Sequence, residues 1–187
     1  MTSILPIDEL NRLDEEIRAR FGDNPLPDDK RIRDDVEDLL EDFFLFAYAM
    51  GNEVTNDNLS SDYQPSVDDV MQVVDAEVAG KTWRERVEDY FSNGGTGADI
   101  SRIATTETHR IANEAAFQTA KAGGATSKTW HCMMLPTSRD THIYLDGVTA
   151  PIDGEFYSFK GGSTKFPGQW GIAEEDVNCL CWLSFEK

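Results

Sequence analysis

Ser138-Arg139-Asp140-Thr141-His142, then Leu145-Asp146-Gly147, then Asn178-Cys179-Leu180-Cys181 are three short runs in the last third of the chain, and their reading decides the fold. Around them stand Trp130, Phe156 and the stretches Gly161-Gly162-Ser163 and Pro167-Gly168-Gln169-Trp170. Apolar and polar residues alternate here, the two-residue period of half-buried strands. The pattern predicts strands over Lys128 to Leu135, His142 to Leu145, Glu155 to Phe159 and Asn178 to Phe185, with Asp146-Gly147 and Asp153-Gly154 as turns. A β unit of roughly 60 residues buries too little apolar surface to be comfortably stable alone. A shared ligand, or docking on the helices before it, would hold it.

Those helices are readable by their period. A long one is expected from Asp99 to Ala122, with Ile100, Ile103, Ala104, Ile111, Ala115 and Phe117 as packing positions and Gly123-Gly124 as its stop. Its small residues allow a neighbour to approach closely. Leu10, Leu13 and Ile17 mark one face of a first helix, with acids at its start and Arg18 and Arg20 at its end, as the helix dipole prefers. A second is expected from about Pro27 to Met50, and the polar stretch Asn52 to Pro65 reads as a loop. Ser66 as N-cap with Asp69 at N3 opens a third, whose apolar face is Val70, Val73, Val74 and Val78. Thr82-Trp83-Arg84-Glu85 opens a fourth, with Trp83, Val87, Tyr90 and Phe91 inward.

The predicted fold class is therefore α+β: an acidic helical N-terminal region, then a long helix packed on a small antiparallel β-sheet. Residues 1–93 form the helical region, an adaptor or docking arm; 94–98 a Gly-rich hinge; and 99–187 the α+β module.

The 187 residues carry a net charge of −18, unevenly placed: Met1 to Gly97 holds 24 acidic residues against 9 basic ones. Such a surface repels nucleic-acid phosphates, so direct nucleic-acid binding is not supported. It reads either as a well-solvated helical face or as the complement of a basic protein partner. No apolar run is long enough to span a membrane. The first residues lack the pattern of a secretory signal, and three cysteines do not make a disulfide framework; the expectation is a cytosolic protein with reduced thiols.

On a strand, Cys179 and Cys181 place both thiols on one face. With His142 as third ligand and Cys132 or His131 as fourth, they form the kind of set a structural zinc takes. The other reading is packed thiols, since buried cysteine behaves as a small hydrophobe. Arg139 and Asp146 are placed to bracket His142 and fix its tautomer. On the long helix, Glu107 and His109 are two apart and do not share a face. Glu107 either meets His142 across the interface, an acid–base arrangement, or anchors the sheet through hydrogen bonds. No phosphate-binding loop, nucleophile elbow or His-Glu-x-x-His helix is present, and no catalytic residue is assigned.

Over Asp99 to Leu183 the chain resembles the phage Mu F-like, or SPP1-type, minor head (head morphogenesis) proteins. The resemblance is carried by Ile103-Ala104-Thr105-Thr106-Glu107-Thr108, Asn113, Ala120, Gly123, Trp130, Arg139, His142, Asp146-Gly147, Phe156, Pro167-Gly168 and Asn178-Cys179-Leu180-Cys181. Thr105 and Leu180 depart from the family, which usually has arginine at both places. The resemblance implies a virion or prohead component, made in the bacterial host cytoplasm, that works with portal, scaffold or major coat protein in head assembly and DNA delivery. The acidic helices would then be the docking arm. It also leaves an alternative, a hydrolase or nucleotidyl-transfer toxin-like enzyme using Glu107, His109, His142 and the Cys179/Cys181 pair.

Overall fold

The structure, a computed structural model, describes residues 4–187. Five helices come first: α1 (Ile7–Phe21), α2 (Lys30–Leu59), α3 (Val67–Val74), α4 (Trp83–Ser92) and α5 (Gly97–Ala122). The remainder is β1 (Ser127–His131), α6 (Asp140–Leu145), β2 (Thr149–Pro151), β3 (Phe156–Tyr157), β4 (Ser163–Thr164), α7 (Ala173–Asp176) and β5 (Trp182–Glu186). The fold is α+β, with a long helix against a small antiparallel sheet.

α5 is the spine. It is buried on nearly every face, which marks a helix enclosed by its neighbours rather than one lying on a surface. On one side its Ile100, Ile103, Ala104, Ile111 and Ala115 join Leu10, Leu13 and Ile17 of α1, Leu40 and Phe44 of α2, Val73 and Val74 of α3, and Trp83, Val87 and Phe91 of α4 in one core. The Phe44 ring meets Trp83 edge-on at 5.2 Å. On the other side Phe117 enters the core of the β unit, with Trp130, Phe156, Phe166, Trp170, Cys179, Cys181 and Leu183. Close approach of α2 to α5 rests on Gly51, where a Cβ would collide with the Ala112 carbonyl oxygen.

Local signals set the helix starts. Ser66 Oγ accepts from Asp69 N while Asp69 Oδ2 accepts from Ser66 N, and Thr82 and Glu85 repeat that reciprocal cap on α4. α2 runs nine residues past the expected Met50, through a stretch whose composition reads as loop. Its polar side chains there have partners: Asn52 Nδ2 donates to Thr119 Oγ1 at 2.8 Å, and Asn56 Nδ2 donates to Tyr63 O at 2.9 Å. Tertiary hydrogen bonds thus override a weak local preference. α3 is shorter than expected; it ends at Val74, and Val78 lies in a turn bridged to Lys81 yet remains buried.

The sheet order is β2-β1-β5, all antiparallel, with Trp130 opposite Leu183 and Thr129 opposite both Thr149 and Ser184. β3 and β4 form a separate small hairpin. β1 stops at His131 instead of Leu135, and Met133 to Leu135 are exposed. The expected strand over His142 to Leu145 is instead the helix α6, opened by hydrogen bonds from His142 N and Ile143 N to Arg139 O. Six residues are too few for a period to separate strand from helix. Among the described residues no helix is long and apolar enough to cross a membrane.

Candidate metal centre

Two segments far apart in sequence deliver the site. α6 contributes His142, and the connection between α7 and β5 contributes Cys179 and Cys181. The imidazole is walled by Trp130, edge-on at 5.8 Å, and by Trp170, stacked at 6.4 Å. The Cys-x-Cys pair does not lie on the final strand, which starts at Trp182. Its sulfurs nevertheless converge, because Asn178 takes a left-handed φ of 54° and turns the chain back. Asn tolerates that conformation better than most residues. Asn178 N donates to Thr106 Oγ1, Cys179 N to Asp176 O, and Asn113 Nδ2 to Cys181 O, so the segment is tied to α5 at both ends.

Cys179 Sγ lies 3.6 Å and Cys181 Sγ 3.4 Å from the same atom, His142 Nδ1. One ligand atom from each of the three residues falls within 4.8 Å of the other two, and all three residues are buried. On its far side His142 Nε2 is 3.1 Å from Glu175 Oε2, although the carboxylate is off the axis of a good hydrogen bond. Thr141 Oγ1 donates to that oxygen at 2.8 Å and holds it in place. A hydrogen bond from the Cys181 thiol, with His142 assisting, holds the Cys179 thiol well below its usual range despite burial. The hydrogen bond to Cys179, together with burial, pushes Cys181 up.

Cys132 stands outside this trio but lines the same cavity of about 30 Å³, with His142, Cys181, Arg139 and Asn178. His131 does not approach it: its Nε2 pairs with Ser184 Oγ and its ring stacks on Trp182 at 4.2 Å. Arg139 and Asp146 do not bracket the imidazole. Arg139 donates to Val177 O, and Asp146 accepts from Cys132 N at 2.8 Å. Gly147, at φ 76°, closes the same turn by donating to Trp130 O. At Gly168 (φ 86°) a Cβ would come within 3.1 Å of the Arg110 backbone, which is why the Pro167-Gly168 loop can press against α5.

Glu107 does not meet His142. It is fully buried, ion-paired with Arg86 and, at 2.7 Å, with Arg110 Nε. Arg110 in turn donates to Val73 O at 2.8 Å, so the pair fastens α3 and α4 to α5 rather than anchoring the sheet. His109 packs near Cys179, with Nδ1 2.7 Å from Thr105 O, and burial lowers its pKa. No acid–base pair of Glu107 with His142 is formed. Thr105 and Leu180, the two departures from the family pattern, line one open cleft of about 390 Å³ with Arg18, Arg102 and His109. Sequence reasoning missed Glu175, Thr141, Trp170 and Asp176. The last accepts from Trp170 N and Gly171 N at 2.8 Å each and so holds the Trp170 wall. The acidic run Glu174-Glu175-Asp176 beside the cysteines was the one available signal, and acidic runs are usually solvated.

Two known proteins share part of this chain. It is 34% identical to the minor head protein GP7 of Bacillus phage SPP1 over 87 residues, 44% of this chain and 28% of that protein. It is 30% identical over 148 residues to an NAD(+)–arginine ADP-ribosyltransferase of Enterococcus faecalis, named EFV, covering 61% of this chain and 30% of that protein. The chain thus spans under a third of the length of each of these relatives. No family model matches the chain, and no solved structure does.

Proposed function

We infer that this chain is a structural component of a bacteriophage head, a minor head protein that acts with portal, scaffold or coat protein during prohead assembly and DNA delivery. The observation that carries the reading is its 34% identity to a phage minor head protein over a stretch close in length to the module that α5 and the sheet form. The geometry is in keeping with it. Trp130, Arg139, Asp146, Gly147 and Asn178 are all engaged in packing, backbone capping or turns, which are the duties of a scaffold. The helical part offers a docking arm: Glu15, Glu16, Asp23, Asp28, Asp35, Asp38 and Asp42 all face solvent. Such a surface steers a basic partner and sets its orientation.

The test is co-sedimentation of the purified chain with proheads, portal and coat protein at rising salt. The expected result is binding at low ionic strength that falls steeply as the Debye length shrinks from about 10 Å at 0.1 M toward 3 Å at 1 M. Binding that is indifferent to salt would remove the electrostatic arm, and no binding to any head component would remove the reading.

The match to an ADP-ribosyltransferase favours a second reading, a group-transfer enzyme. Each of these two proteins of different named roles is matched over less than a third of its length. Incubation with labelled NAD and an arginine-rich acceptor separates the two: transfer of label would establish the enzyme, and the head-protein reading expects none.

A further inference from the structure

We propose that His142, Cys179, Cys181 and Cys132 hold a single zinc ion, oriented by Glu175, and that this ion fastens the β unit together. The argument is geometric. A tetrahedral zinc sets sulfur about 2.3 Å and nitrogen about 2.0 Å from the metal, which separates a sulfur and a nitrogen on the same ion by ~3.5 Å. The two observed separations from His142 Nδ1 are 3.6 and 3.4 Å. With Glu175 Oε2 3.1 Å from Nε2, a metal-bound ring would carry its proton on that side. Nδ1 then offers one lone pair, and two buried sulfurs face it. A cation at the point where that lone pair and the two sulfurs converge satisfies all three.

The surroundings repeat the rule for metal-bound imidazoles, whose second nitrogen faces a carboxylate that is itself held. Glu175 is that carboxylate. It is 3% exposed, and Thr141 Oγ1 at 2.8 Å and Ser158 Oγ at 3.5 Å keep it in place. Cys132, which lines the same small cavity, would complete the set by turning its side chain about a backbone that Asp146 fixes. Thiolate and imidazole donors in a tetrahedral set select zinc over hard cations. The ion would join the end of β1, the helix α6 and the connection into β5, three segments that the short sheet alone links weakly. The proposal does not rest on the head-protein reading, because it is tested on the isolated chain.

Protein purified under reducing conditions without chelator, from zinc-supplemented cultures, is to be analysed for metal content and thiol count. About one zinc per chain is expected, and cobalt substitution should give thiolate charge-transfer bands with the strong visible bands of a tetrahedral site. Cys132→Ser should keep the visible bands and lose about a third of the charge-transfer intensity, since two thiolates of three remain. Glu175→Gln should still bind, with affinity lower by about 10–100-fold. Metal-free wild-type protein with three free thiols and no cobalt spectrum would overturn the proposal, whether or not any variant folds. Unchanged charge-transfer intensity in Cys132→Ser would overturn the assignment of the fourth ligand.

Discussion

Replacing Lys128 with methionine should stabilise this protein, and the gain should fade as the pH is raised. Lys128 sits in the middle of β1 with no exposed surface, and its Nζ has no hydrogen-bond partner. The ammonium lies 4.7 Å from the centre of the Phe117 ring and 5.5 Å from that of Phe156. Burial, with Lys165 adding repulsion, lowers its pKa from 10.5 to about 8. At about 1.4 kcal/mol per pH unit, that displacement corresponds to roughly 3 kcal/mol against the charged form. Cation–π attraction to the two rings returns about 0.5–2 kcal/mol of it. The attraction of Asp153 and Glu155 is already contained in that displacement. The net expectation is that Lys128→Met, close in volume and without a charge, is more stable by ~1–2 kcal/mol at pH 7.

The sign of the pH effect follows from linkage. The folded-state pKa lies below the unfolded one, so between about pH 8 and about pH 10.4 the unfolded chain binds more protons at this site than the native chain does. Wild-type stability from this group therefore rises with pH across that window, and below pH 8 the full penalty applies. Urea denaturation of wild type and Lys128→Met at pH 7, 8, 9 and 10 should show the variant's advantage shrinking toward zero. Parallel curves, or a variant less stable than wild type at pH 7, would mean that the ammonium reaches water and that the reasoning is wrong.

Two further substitutions test the helical half. Glu107→Gln should cost roughly 3–5 kcal/mol, because it leaves Arg110, which has about 1% exposed side chain, short of its carboxylate partner. The urea midpoint should fall with little change in slope, and a loss under 1 kcal/mol would show that Glu114, 3.0 Å from Arg110 Nη1, suffices alone. Gly51→Ala should destabilise by about 1–3 kcal/mol, because its methyl group would strike the Ala112 carbonyl and force α2 and α5 apart. A neutral result in thermal melting would mean that the two helices can separate freely.

Much of the helical half was legible in advance. Leu10, Leu13 and Ile17 declare their face by spacing alone, Ser66-Asp69 declares its cap by residue type, and Thr82-Trp83-Arg84-Glu85 declares a helix start. The β unit was harder. Its strands run two to five residues, and at that length alternation and helical spacing are indistinguishable, so the sequence predicts a strand where α6 stands. The site was half visible: the Cys-x-Cys pair and His142 stood out as residue types. Glu175 did not, because burial of a carboxylate depends on neighbours from α6 and from the β3–β4 region, which no local pattern announces.

By itself the sequence determined the α+β class, the helix faces, the caps, and which thiols and imidazole were available. These follow from local rules, in which residue type and period act over a few neighbours. Only the tertiary structure decided that Asn52 and Asn56 would stay helical, that Lys128 would be enclosed among aromatic rings, that Glu107 would face Arg110 instead of His142, and that two sulfurs and a nitrogen would meet beside Glu175. Most of these depend on groups brought in from other elements, whose meeting is set by how α5 is enclosed rather than by residue type and period alone.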